Sequence, residues 1–89
     1  MISRRTRSFR RAYLRLPSYV QHLADEAYAK FRDDPSHPGL HFKQVHPEKP
    51  YYPVRVSSGY RALCVLDGDT AVWYWIGNHD AYLRLIREL

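Results

Sequence analysis

The sequence predicts an α+β fold in which a helical hairpin comes first, an antiparallel meander follows and a short helix ends the chain. Two observations carry this reading. Apolar residues recur with a helical period up to Phe31, and from Phe42 the period changes to two with β-branched and aromatic residues. Proline and glycine clusters separate the two regimes and divide the second one.

In the first helix Phe9, Ala12, Tyr13 and Leu16 recur at i, i+3, i+4 and i+7, one face of a helix, with Ser8 available as its cap. The opposite face carries arginines. Pro17 interrupts this pattern and suits the first turn of a second helix, where its missing N–H is no loss. Val20, Leu23, Ala24, Ala27, Tyr28 and Phe31 then give a nearly continuous apolar stripe, so the second helix is expected over 17–33. Asp33-Asp34-Pro35-Ser36-His37-Pro38-Gly39 ends it, because a residue before proline avoids the helical region.

Strands are expected at Tyr51–Val56, Tyr60–Leu66 and Ala71–Ile76, separated by Ser57-Ser58-Gly59 and Asp67-Gly68-Asp69. A three-residue loop ending in glycine closes with a bulge and pairs Val56 with Tyr60 and Arg55 with Arg61. Val54, Val56, Tyr60, Ala62, Cys64 and Leu66 then share the face that packs on the helices, and the two arginines share the other. Strict alternation puts Trp73 and Trp75 on one side of the sheet and Tyr74 on the other. Gly77-Asn78-His79-Asp80 offers a turn and a cap, after which Tyr82, Leu85, Ile86 and Leu89 form a short amphipathic helix.

A chain of 89 residues is expected to form a single domain over 1–89, and 45% hydrophobic residues supply a core. A core this small is marginal and favours dependence on a partner chain. Cys64 is the only cysteine, and no signal peptide or long apolar run is present, so a cytoplasmic, reducing environment is expected.

The net charge of +5 points to a polyanionic partner. Its surplus is local. Residues 1–16 contain Arg4, Arg5, Arg7, Arg10, Arg11 and Arg15 and no acid, whereas the remainder holds 8 basic and 9 acidic residues. Such a block is either a solvated helix face or a docking surface for phosphates or an acidic protein, with Arg4, Arg7, Arg11 and Arg15 as its phosphate contacts.

The sheet region adds Lys43, Arg55 and Arg61, and the segment after the last strand adds His79, Asp80 and Tyr82. Phosphoryl-transfer transition states gather negative charge on nonbridging oxygens, which fixed cations stabilise. RNA cleavage without a metal also needs groups to take the 2′-hydroxyl proton and to protonate the leaving oxygen. Imidazole is tuned for that work, making His79 the natural choice, with Tyr82 beside it. The competing reading pairs Arg55 and Arg61 with Asp67, Asp69 or Asp80 as ordinary surface ion pairs. His37, His41 and His46 crowd one stretch, but their spacing matches no recurring ligand pattern, and no metal or cofactor is expected. Trp73, Tyr74 and Trp75 read as core or as a base-stacking platform.

The chain resembles the small toxins of the RelE/ParE superfamily of bacterial type II toxin–antitoxin modules. The resemblance covers nearly the whole chain. It rests on the element order and on Leu16-Pro17, Asp34-Pro35-x-His37-Pro38-Gly39-Leu40-x-Phe42-Lys43, Tyr52-x-Val54-Arg55-Val56, Gly59-Tyr60-Arg61-Ala62-Leu63 and Trp73-x-Trp75-Ile76-Gly77-x-His79-x-x-Tyr82. It implies the helical hairpin packed on a twisted antiparallel sheet of three to four strands, and a cognate antitoxin that wraps the toxin, with operator DNA bound only through that antitoxin.

In the RelE-like branch, favoured here, the resemblance implies a ribosome-dependent mRNA endonuclease that inhibits translation through metal-independent attack by the 2′-hydroxyl. Lys43, Arg55 and Arg61 then match the basic residues that hold phosphate, and His79 and Tyr82 the acid–base end. The sequence departs from the pattern in two places. Asn78-His79 replaces the usual basic residue after the last strand, and the edge strand is an arginine-rich Ile2–Arg7, expected to be short or unpaired. The alternatives are a ParE-like inhibitor of DNA gyrase, which is no enzyme, and an inactive toxin that serves as an antitoxin-bound corepressor.

Overall fold

A computed structural model describes residues 1–89. The chain runs β1 (Ile2–Arg5), α1 (Arg7–Leu14), α2 (Ser18–Asp33), a 3-10 turn (Pro38–Leu40), β2 (Tyr51–Ser57), β3 (Tyr60–Asp67), β4 (Thr70–Asn78) and α3 (His79–Arg87). The four strands form one sheet in the order β1-β4-β3-β2. The meander β2-β3-β4 is antiparallel, and β1 adds to its edge in parallel with β4, so the sheet is mixed. Ile2–Arg5 is thus short but paired, and the remaining residues of the arginine-rich segment enter α1.

The caps correct two local expectations. Thr6, and not Ser8, caps α1: its hydroxyl accepts from the Phe9 amide at 3.1 Å, while Ser8 Oγ donates to the Tyr74 carbonyl at 3.0 Å. Thr6 precedes the first helical residue and so has the extended backbone that a cap requires. Pro17 occupies the N-cap position of α2, with Ser18 as the first helical residue. Gln21 Nε2 reaches back to the Tyr13 and Leu16 carbonyls at 3.1 and 3.2 Å and so ties the start of α2 to the end of α1.

Helices α1 and α2 lie on one face of the sheet, α1 against β4 and α2 against β2. The core between these layers includes Phe9, Ala27, Phe31, Leu40, Val54, Ala62, Cys64, Trp73 and Ile76. Phe31 packs edge-on against both Phe42 (4.9 Å between ring centroids) and Trp73 (5.1 Å). Such contacts add about 0.5–1.5 kcal/mol each beyond area burial. This aromatic set anchors the loop after α2 and the centre of β4 to the same point.

Two irregularities decide which residues leave that core. On β2 the pairing runs Val54↔Ala62, Arg55↔Arg61 and then Ser57↔Tyr60, so Tyr60 opposes Ser57 and not Val56, which is the extra residue of a bulge. On β4, Leu63 pairs with Trp75 and Cys64 with Trp73, which leaves Tyr74 as the extra residue of a second bulge. The inserted residue breaks the period of two. Trp73, 4% exposed, enters the core with Cys64, whereas Trp75 lies on the other face. The expected sharing of one face by the two tryptophans is overturned by that single residue. α3 covers this second face, where Tyr82 packs near Trp75 with ring centroids 6.4 Å apart.

Candidate functional site

The second face of the sheet is shaped by the β2–β3 turn and the β4–α3 junction, which are held together. The His79 amide donates to the Gly59 carbonyl at 2.8 Å, and Asn78 Oδ1 accepts from the Ala81 amide at 2.8 Å to cap α3. Asn78 pairs with Tyr60 and Gly77 with Arg61 across β3–β4. The first turn of α3 is therefore delivered beside Arg61. This arrangement brings together Arg55, Arg61, His79 and Tyr82, four of the residues singled out from the sequence.

Arg55 and Arg61 are direct cross-strand partners, as expected. Neither pairs with an acid. The chain's only ion pair within 4.0 Å joins His22 to Glu26, so the alternative in which the strand arginines are neutralised by Asp67, Asp69 or Asp80 does not hold. Arg61 Nη1 donates to the Ser57 and Tyr60 carbonyls at 2.5 and 2.9 Å, which aims the guanidinium along the β2–β3 turn. Its Nε and Nη2 make no hydrogen bond within the chain and remain available as donors. Burial and then the neighbouring Arg55 charge push the Arg61 pKa down, while Tyr82 pulls it up. An anion placed there relieves both penalties.

Tyr82 is 7% exposed, and its ring centroid is 6.0 Å from that of His79, three residues earlier on α3. Burial raises the Tyr82 pKa, partly opposed by Arg61. The phenol is thus a hydrogen-bond donor at neutral pH and unsuited to act as a base.

Lys43 lies apart. It belongs to the segment leading to the Tyr51 end of β2, where Val45 donates to the Tyr51 carbonyl, while Arg55 and Arg61 lie toward the other end. With Ser36, His37, His41 and Phe42 it lines a separate open groove of about 450 Å³. The histidines of that region have local tasks: His37 Nδ1 accepts from the Gly39 amide at 3.0 Å, and His46 Nδ1 from the Glu48 and Lys49 amides at 3.0 and 2.9 Å.

The N-terminal arginines are also divided. Arg4 is exposed on the edge strand opposite Val72, and Arg7 and Arg11 are exposed on α1. Arg15, at the C-terminus of α1, reaches the β4–α3 junction and lines a groove with Tyr60 and Asn78.

Gly77, expected in the turn before the last helix, is instead a residue of β4. A Cβ at this position would come within 2.7 Å of Trp75 Cζ2 and 2.9 Å of Cη2, so the Trp75 ring lies across the backbone directly opposite Arg61. The signal available in the sequence was a glycine two residues after a tryptophan near a strand end.

No helix is long and apolar enough to cross a membrane. Comparison with solved structures finds the same fold in several proteins. A chain of the RelB–RelE antitoxin–toxin complex of Methanococcus jannaschii is 13% identical with a TM-score of 0.69, covering 96% of this chain and 98% of that one. YafQ of Escherichia coli is 10% identical with a TM-score of 0.69, covering 90% and 94%. A chain of the toxin–antitoxin complex RelBE2 of Mycobacterium tuberculosis is 22% identical with a TM-score of 0.61, covering 88% and 96%. No curated protein matches by sequence. The family model described as ParE-like toxin domain matches residues 18–84, from the start of α2 into α3. The chain belongs to this family of ParE-like toxin domains, within the RelE/ParE superfamily of toxins from type II toxin–antitoxin modules.

Proposed function

We propose that residues 1–89 act as one toxin domain that cleaves mRNA on the ribosome and so stops translation, and that a cognate antitoxin neutralises it. The observation that carries this reading is the Arg55–Arg61 cross-strand pair, left without a carboxylate beside His79 and Tyr82. Like charges directly opposite on a sheet are destabilising, so an anion that bridges them supplies the missing partner. Two neighbouring solved structures are toxin–antitoxin complexes, which supports an antitoxin partner here.

In the proposed reaction the RNA 2′-hydroxyl attacks the adjacent phosphorus, and the His79 imidazole takes its proton. The bond to the 5′-oxygen breaks, giving a 2′,3′-cyclic phosphate and a 5′-hydroxyl. Tyr82 donates a hydrogen bond to the departing oxygen, which takes a proton from water, and the hydroxide so formed recovers the proton held by the His79 imidazolium. Arg61 and Arg55 stabilise the charge that gathers on the nonbridging oxygens, an effect present more strongly in the transition state than in the bound substrate. Lys43, Arg4, Arg7 and Arg11 contact phosphates farther along the RNA or the ribosome.

Membership of a ParE-like family favours a second reading, a non-enzymatic inhibitor of DNA gyrase. Primer extension on mRNA incubated with the protein, with and without ribosomes, separates the two. The first reading expects cuts only when ribosomes are present. Intact messages together with loss of DNA supercoiling activity would establish the second.

A further inference from the structure

α3 has nine residues, too few to hold a helix alone in water, so its place is set by what it packs against. The Asn78 cap and the bond from the His79 amide to Gly59 fix only its first turn. Tyr82 is its one buried side chain. Leu63 is also fully buried, yet like Tyr82 it lies outside the core between the helical hairpin and the sheet. Trp75 joins the two, as the cross-strand partner of Leu63 and the ring neighbour of Tyr82. The face that carries Arg61 therefore has a small apolar cluster of its own, centred on Trp75.

The backbone decides the pose of the Trp75 ring. Gly77, two residues further along β4, shares its face of the sheet. The indole occupies the space where a side chain at Gly77 would begin, with Cζ2 2.7 Å and Cη2 2.9 Å from an ideal Cβ. The ring thus runs along the strand toward the position opposite Arg61, and any β-carbon at 77 closes this pose. The Tyr82 ring lies 6.4 Å away at 34° to the indole plane, a tilted, offset contact. Turning Trp75 turns the surface on which Tyr82 rests. The phenol is in turn near enough to Arg61 for each group to shift the other's proton equilibrium.

We propose that Trp75 is a positioning residue: seated on Gly77, it holds the Tyr82 hydroxyl toward the oxygen that departs beside Arg61. The inference rests on the RNA-cleaving reading, in which Tyr82 donates a hydrogen bond to that oxygen. Such a bond helps only when it is aligned with the breaking bond, and a misplacement of about 1 Å can cost about 100-fold in rate. Trp75 itself touches no reacting atom, so its effect passes through Tyr82. The cations that hold the phosphate are untouched by its loss, which separates a slower cleavage step from weaker binding.

Single-turnover cleavage of mRNA on ribosomes tells this role from a merely structural one. Trp75→Leu is expected to slow the cleavage step about tenfold or more, with the half-saturating ribosome concentration changed by less than about twofold. Trp75→Phe, whose smaller flat ring still fits over Gly77, should recover most of the loss. In a Tyr82→Phe background the hydroxyl is already gone, so Trp75→Leu should slow the step by less than about twofold further. Weaker ribosome binding with an unchanged cleavage step, or losses that multiply in the double variant, would overturn the positioning role. NMR of the free protein with labelled tyrosines reads the same contact without cleavage. The Tyr82 ring signals, assigned through Tyr82→Phe, should be displaced by the Trp75 ring current and should move in Trp75→Leu, and signals that stay in place would also overturn the proposal. If the unaltered protein leaves messages intact while these signals move, the cleavage reading falls and the hold of Trp75 on Tyr82 stands.

Discussion

Arg55 and Arg61 face each other across β2 and β3 with no carboxylate within 4.0 Å of either. A sheet built only for stability would not place them so. Each alone could serve as a surface cation, but opposite one another they repel by a few tenths to about 1 kcal/mol. Arg61 partly offsets this by donating to two carbonyls of the adjoining turn, whereas Arg55 makes no such bond. The site therefore carries a preference for an anion before any substrate arrives.

Arg55→Gln is accordingly expected to leave stability unchanged or to raise it by up to about 1 kcal/mol, while weakening anion binding. Thermal denaturation with and without pyrophosphate checks this. Pyrophosphate should raise the Tm of the unaltered protein and do so much less in the variant. A clear loss of stability in Arg55→Gln would show that the arginine is held by interactions that favour the fold.

Gly77→Ala should cost about 1–3 kcal/mol, because the added methyl enters the space of the Trp75 ring and a close-packed site cannot absorb it without moving that ring. Urea unfolding gives the energy, and a changed tryptophan emission spectrum gives the cause. Unaltered stability and emission would mean that the ring does not rest on Gly77.

Alkali should destabilise the fold from about pH 9 upward. Burial raises the Cys64 thiol from 9.0 to about 12, and the Tyr74 phenol is raised from 10.0 to about 12, mainly by burial. The unfolded chain loses these protons first, so it binds fewer of them than the folded chain between about pH 9 and 12, and stability falls with rising pH in that window. Below pH 9 these groups contribute fully. Cys64→Ala should flatten the first part of the decline in urea midpoints measured from pH 7 to 11, and an identical decline would remove the thiol from the account.

Much of this architecture was legible because its signals are local. The apolar stripe expected over 17–33 became Ser18–Asp33, and the period-two segments became β2, β3 and β4 with Arg55 opposite Arg61. Local signals also suggested a cap within Gly77-Asn78-His79-Asp80, which Asn78 supplies. Apart from the helix caps, the misplaced features depend on one extra residue or on tertiary proximity. The bulge at Tyr74 sends Trp73 and Trp75 to opposite faces, which a period of two cannot anticipate without knowing where the period breaks. The division of the arginine block is of the second kind. Arg15 reaches the β4–α3 junction because α1 ends there, while Lys43 lies toward the far end of β2, a separation that sequence spacing does not encode.

The most direct test of the central claim is single-turnover cleavage of mRNA in the A site of purified ribosomes, comparing the unaltered protein with Arg61→Ala. Loss of a charge contact to the nonbridging oxygens should slow the cleavage step about 100-fold or more, with ribosome binding largely retained. Cleavage by Arg61→Ala at the rate of the unaltered protein would contradict the assignment of the Arg55–Arg61 face as the reacting site.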